Sequence, residues 1–115
     1  MNIREATLND LQGICLLSNE INDFHNLHMP NMFKKSASLN QDIPYWSQYL
    51  ENEQGIAFVA QQGSEIIGAI CAEVIMSTPA PFLFDRRLCF IGTIVISKKH
   101  QKTGVGKALM LAVEE

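Results

Sequence analysis

A nearly unbroken apolar run, Leu88-Cys89-Phe90-Ile91-Gly92-Thr93-Ile94-Val95-Ile96, gives way through the polar stretch Ser97 to His100 to the turn Gln101-Lys102-Thr103-Gly104-Val105-Gly106-Lys107. Val105, Ala108, Leu109, Ala112 and Val113 then recur at helical spacing. The apolar run predicts a strand covered on both faces, so the chain must leave a buried strand, turn and re-enter as a helix. The first turn of that helix leaves amide N–H groups without partners. The helix dipole adds partial positive charge at the same place, and residues without a Cβ let an anion reach the backbone. Gly104 and Gly106 meet that need, while Lys98, Lys99, Lys102 and Lys107 place cations around the turn. A pyrophosphate is the ligand that this pattern favours.

Other phosphate-binding patterns fit less well. A P-loop needs a glycine and four further residues ahead of Gly-Lys-Ser/Thr, and Gln101 and Ala108 fail that test. The dinucleotide fingerprint would use Gly104 and Gly106 but ends at Leu109, and it ordinarily lies near the start of a chain. Glycines that only shape a loop and cap a helix are the plain alternative.

The rest of the chain supplies elements for one small domain. Asn2 to Ala6 reads as a strand, and Thr7 with Asp10 resembles a helix N-cap with a first-turn acid. Leu8, Leu11, Ile14, Cys15, Leu17 and Ile21 predict a helix that fades near Asn22, followed by a long connection to Asn40. Pro44 begins a second helix with an aromatic face of Tyr45, Trp46 and Tyr49, closed near Gly55. Strands Ile56 to Gln61 and Glu65 to Met76 join through Gln62-Gly63-Ser64 as a hairpin. With 115 residues, 47% of them hydrophobic and 18% charged, a globular chain with one core is expected. The net charge of -3 comes from scattered side chains, which argues against nucleic acid and anionic membrane as partners. Cys15, Cys71 and Cys89 are odd in number and sit among apolar residues, so a reducing compartment, the cytoplasm, is expected. No apolar run approaches the roughly 20 residues of a membrane helix.

Ile94-Val95-Ile96 followed by Gln101-Lys102-Thr103-Gly104-Val105-Gly106 resembles the acetyl-CoA signature Arg/Gln-x-x-Gly-x-Gly/Ala of the GCN5-related N-acetyltransferases. His100 to Gly106 is similar in particular to small-molecule members of the phosphinothricin-acetylating type, and the order strand, helix, helix, three strands, helix follows the family throughout. The resemblance implies an α/β (α+β) fold, a mixed and mainly antiparallel sheet flanked by helices. It implies a single domain over residues 1–115, with substrate-side helices in 7–51, the sheet in 56–96 and the coenzyme motif with its helix in 94–115. Relatives continue with another strand, a helix and a closing hairpin, so the C-terminal part of the fold is expected to be missing. The backbone of Ile94, Val95 and Ile96 would bond the pantetheine arm of acetyl-CoA. Gln101, Lys102, Thr103, Gly104, Val105, Gly106 and Lys107 would hold its pyrophosphate.

The implied activity is direct transfer of acetyl from acetyl-CoA to a primary amine, an acyltransferase reaction with acetyl-CoA as co-substrate and no metal. Such transfer needs a group that takes the amine proton. Glu73, near the end of the third strand, is the candidate base, its alternative being a solvated strand residue. The stretch ahead of the pantetheine segment, Ile91-Gly92-Thr93, offers only a hydroxyl. His25, His28 and Phe33, in the connection that borders the acceptor in this family, are candidate substrate contacts. The two histidines lack a third ligand nearby for a metal. Tyr45, Trp46 and Tyr49 are either core or an aromatic wall for the acceptor, and Cys71 and Cys89 are expected to be packed rather than nucleophilic. A non-catalytic acetyl-CoA sensor, or a fragment completed by a partner strand or a second copy as a homodimer, is the alternative reading.

Overall fold

A computed structural model of the chain describes residues 1–32, 34, 41–77 and 80–114. Four strands, β1 (Asn2–Glu5), β2 (Gly55–Gln62), β3 (Glu65–Ser77) and β4 (Arg86–Ile96), form one antiparallel sheet in the order β1-β2-β3-β4. Gly63 takes φ +62° at the two-residue turn between β2 and β3, where Gln62 pairs with Glu65. That is the hairpin the glycine predicted. Helices α1 (Leu11–His28) and α2 (Ile43–Glu51) cover one face, and α3 (Val105–Glu114) covers the other. The fold is therefore three layered, with Ile14, Cys15, Leu17, Ile21 and Trp46 packed on Ala57, Val59, Ala69, Cys71 and Val95. Across the sheet, Val105, Leu109 and Val113 pack on Ala60, Ile67, Ile70 and Ala72. Among the described residues no helix is long and apolar enough to cross a membrane.

The entry to α1 is built as the sequence suggested. The Thr7 amide donates to the Asp10 carboxylate at 2.8 Å, and a single 3-10 turn, Leu8–Asp10, leads into the helix. Arg4 on β1 closes on the same carboxylate with two bonds of 2.8 Å, Nη1 to Oδ2 and Nη2 to Oδ1. The guanidinium beside it holds the Asp10 carboxyl at about 2. At the other helix, the Asp42 carboxylate ahead of α2 accepts from Ser18 at 2.8 Å and from Asn22 at 3.2 Å, which fixes α2 against α1.

Two sequence expectations are corrected. The first helix does not fade at Asn22 but runs to His28. Phe24 holds the extra turns, because its ring lies edge-on to His28 with centroids 4.7 Å apart and beneath the ammonium of Lys98. Tertiary contact extends a helix that apolar periodicity alone would end.

The second correction concerns β4, which is not covered on both faces. It is the edge strand, the helices sit over the inner strands, and Val95 is its one buried residue. Phe90, Ile91 and Ile94 are exposed, and Cys89 is exposed rather than packed, whereas Cys15 and Cys71 are buried.

Candidate functional site

The turn after β4 has the geometry that its glycines require. A 3-10 turn, Lys98–His100, follows the strand, and the chain then passes through Lys102 at φ +66° and Gly104 at φ +93° before α3 begins. A Cβ on Gly104 would meet nothing within 4 Å, so its need for glycine is conformational and the space above it is open. The Thr103 hydroxyl donates to the His100 carbonyl, and Gln101 Nε2 donates to the Ile96 carbonyl at 3.2 Å, which draws the turn back onto the strand. The backbone bond that opens α3 runs from the Ala108 N–H to the Gly104 carbonyl at 3.0 Å. The amides of Val105, Gly106 and Lys107 precede that bond and can point at an anion. Lys98, Lys99, Lys102 and Lys107 are all exposed around them.

The strand ahead of the turn offers a second set of groups. The Ser97 amide donates to Ile67 on β3 at 2.8 Å. Peptide groups alternate sides along a strand, so those of Val95 face β3 and those of Ile94 and Ile96 face the open edge. An extended polar arm can bond to that edge as an added strand does. Val95 is held from below by the core under α1 and α2, and Ile96 by the core under α3.

Next along β4, the register with β3 shifts: Thr93 pairs with Cys71 but Ile91 pairs with Ala72, which leaves Gly92 as a bulge. Two phenols from α2 converge on it. A Cβ at Gly92 would lie 2.3 Å from Tyr49 Oη and 3.1 Å from Tyr45 Oη. Tyr45 Oη and Thr93 Oγ1 are 2.6 Å apart, while Trp46 beneath is buried. Burial pushes the Tyr45 phenol up to about 12 and the Cys71 thiol up to about 11. Neither group is ionised at neutral pH, so Cys71 is no nucleophile.

Glu73 pairs with Phe90 at the second pair beyond the bulge and stands on the same face of the sheet as Cys71 and Thr93. It is half-buried. His25 and His28 lie on the last turns of α1, tied through Phe24 to Lys98 beyond the end of β4. Glu73, by contrast, is level with the first half of that strand. Phe33 lies outside the described residues. Among the described residues no three His, Cys, Asp or Glu side chains gather as metal ligands would. The convergence of Tyr45, Tyr49 and Thr93 on Gly92 is what sequence reasoning missed. The available signal was a lone glycine followed by threonine inside an apolar strand, which marks a bulge or a close approach.

Known proteins share both pattern and fold. The chain matches the Acetyltransferase (GNAT) family over residues 21–115. No curated protein matches it at the sequence level. Among solved structures, an acetyltransferase from Vibrio fischeri is 24% identical over 99% of this chain and 84% of its own, with a TM-score of 0.73. A mutant of the Bacillus halodurans protein BH1408 superposes with a TM-score of 0.80 at 17% identity, over 99% of this chain and 73% of its own. An aminoglycoside antibiotic 6'-N-acetyltransferase from Acinetobacter haemolyticus does so with a TM-score of 0.69 at 18% identity, over 99% of this chain and 69% of its own. At these identities the solved structures speak for the fold. The family match spans most of the sequence and includes the strand, bulge and glycine turn described above, and on that ground the chain belongs to the GNAT family of acetyltransferases.

Proposed function

We propose that the chain moves the acetyl group of acetyl-CoA to a primary amine of a small molecule or peptide, by direct attack in a ternary complex. The observation that carries this reading is the continuity of the open edge at Ile94 to Ile96 with the unpaired amides at the start of α3. The edge takes the pantetheine arm, the amides and Gln101 to Lys107 take the pyrophosphate, and Gly104 leaves room for its oxygens. The thioester then lies toward the Gly92 bulge, on the side of Glu73. Glu73 accepts the amine proton, directly or through water, as the nitrogen attacks the thioester carbonyl. The C–S bond then breaks, and coenzyme A leaves as a thiolate that takes its proton from water or from the protonated Glu73. His25 and His28, at the Lys98 end of the strand, stand apart from that acceptor end and have no part in the transfer. Relatives of this fold known as aminoglycoside acetyltransferases, one of them solved in complex with CoA, support amines as the acceptor class and CoA as the donor. Three free cysteines support a cytoplasmic setting.

Release of coenzyme A thiol on mixing acetyl-CoA with primary amines tests the proposal. Amine-dependent release that falls at least about a hundredfold in E73Q is expected, since a positioned base contributes about 10²–10⁴-fold. Tight acetyl-CoA binding by calorimetry with no release across aminoglycosides, polyamines and peptide amines would leave the chain a sensor and refute transfer. Full activity in E73Q would remove Glu73 from the mechanism.

A further inference from the structure

We infer that the Tyr45 and Thr93 hydroxyls form a positioning pair that receives the acceptor's primary amine, so that Tyr45 is a specificity-determining residue of the acceptor site. The inference rests on the proposed acetyl transfer and adds to it the group that meets the amine. Thr93 immediately precedes the segment assigned to the pantetheine arm, so the pair stands where the acetyl end of the donor stops. Its alternative is a packing role, in which Thr93 merely satisfies a buried phenol.

Three observations weigh against packing alone. Tyr45 is 39% exposed as a residue, and its hydrogen bond with Thr93 lies at the surface rather than in the core. The ring is nevertheless locked, edge-on to Trp46 at 6.0 Å and to Tyr49 at 5.6 Å, which fixes its hydroxyl in one place. The bulge is also built for it, because only glycine at position 92 leaves space for both phenols to reach the strand. A polar side chain held rigidly near the surface is what a binding group requires.

The chemistry matches a neutral amine. Two hydroxyls 2.6 Å apart use one proton and one lone pair in their mutual bond, which leaves the pair a further proton and further lone pairs to offer beside Tyr49 and Cys71. An amine N–H donates to Tyr45 Oη while its own lone pair points at the thioester carbonyl. The phenol stays protonated near neutral pH, so it orients the amine and leaves proton removal to Glu73, on the same face.

The test measures KM and kcat of Y45F, T93V and T93S with sisomicin and with spermidine as the amine, alongside KM for acetyl-CoA. Loss of one hydrogen bond corresponds to about three- to tenfold. Y45F and T93V are expected to raise the amine KM by that factor with acetyl-CoA KM unchanged, and T93S to restore the wild-type value. An unchanged amine KM in both Y45F and T93V, or an equal rise in the KM of both substrates, overturns the positioning role and leaves acetyl transfer standing. A wild-type chain that acetylates neither amine overturns transfer to these amines and the pair with it. T93V keeps the side-chain shape, so it carries the test if Y45F fails to fold.

Discussion

The ammonium of Lys98 lies 3.5 Å from the centroid of the Phe24 ring, which joins the last turns of α1 to the segment that leads from β4 into the glycine turn. Phe24 thereby holds two structures at once, the His28 end of the helix and the start of the glycine turn. A cation over a phenyl ring at an exposed site contributes about 0.5–1 kcal/mol. A double-mutant cycle of F24L and K98M, read by urea unfolding, should show a coupling of that size. Additive single-mutant losses would mean that the contact does no more than coincide.

Gly104 and Gly68 are required for different reasons, and their alanine variants separate them. At Gly104 the backbone has φ +93° with open space beyond, so G104A should cost about 1–2 kcal/mol through conformation alone. It should also weaken acetyl-CoA binding, because the turn must relax away from the shape that exposes its amides. Gly68 has ordinary backbone, but a Cβ there would lie 2.9 Å from Val105 Cγ1 and 3.1 Å from Leu109 Cδ1, where α3 sits directly on β3. G68A should cost about 1–3 kcal/mol through overpacking. Thermal unfolding and calorimetric titration of both variants check the pair of expectations.

The Arg4–Asp10 pair sets an acid limit on stability. Its carboxyl is depressed to about 2, so the pair's contribution is complete above the ordinary carboxylate range near about 4. It is lost as pH falls from there through about 2, on the order of 1–2 kcal/mol in all. Urea unfolding between these limits should show that loss in the wild type, and D10N should remove most of the slope.

The cysteines should divide two to one. Cys15 and Cys71 are buried and their thiols are pushed up, in both cases chiefly by that burial, while Cys89 is exposed on the outer part of β4. Iodoacetamide near neutral pH should label Cys89 alone in the folded chain and all three after denaturation. Peptide mass spectrometry identifies the sites, and rapid labelling of Cys71 would contradict the packing under α2.

Much of this architecture was legible in the residues. Gly63 announced its hairpin, Thr7 and Asp10 announced the entry to α1, and Gln101 to Gly106 announced the turn and the family. Each of these is a local device whose physics lies within a few neighbouring residues. What escaped depends on contacts distant in sequence. Nothing between Asn22 and His28 shows that Lys98 will settle on Phe24 and keep the helix going. An unbroken apolar run reads as buried, yet β4 lies at the edge, where apolar side chains remain exposed, because a sheet's strand order is a long-range property. Tyr45 and Tyr49 were visible as an aromatic helix face. That their hydroxyls close over Gly92 follows from the placement of α2 against a strand some 40 residues away.

The extra residue at Gly92 also divides β4 into two reading frames. Up to Gly92 the even-numbered residues look toward α1 and α2, and from Thr93 onward the odd-numbered ones do. Removing Gly92 would leave Thr93 on Cys71, Ile91 on Ala72 and Phe90 on Glu73 in a regular ladder, so both halves would keep their faces and only the space beneath the two phenols would change. The opening that Tyr45 and Tyr49 reach into is thus the property of one added residue, which could be gained or lost while every other pairing of the sheet stays as it is.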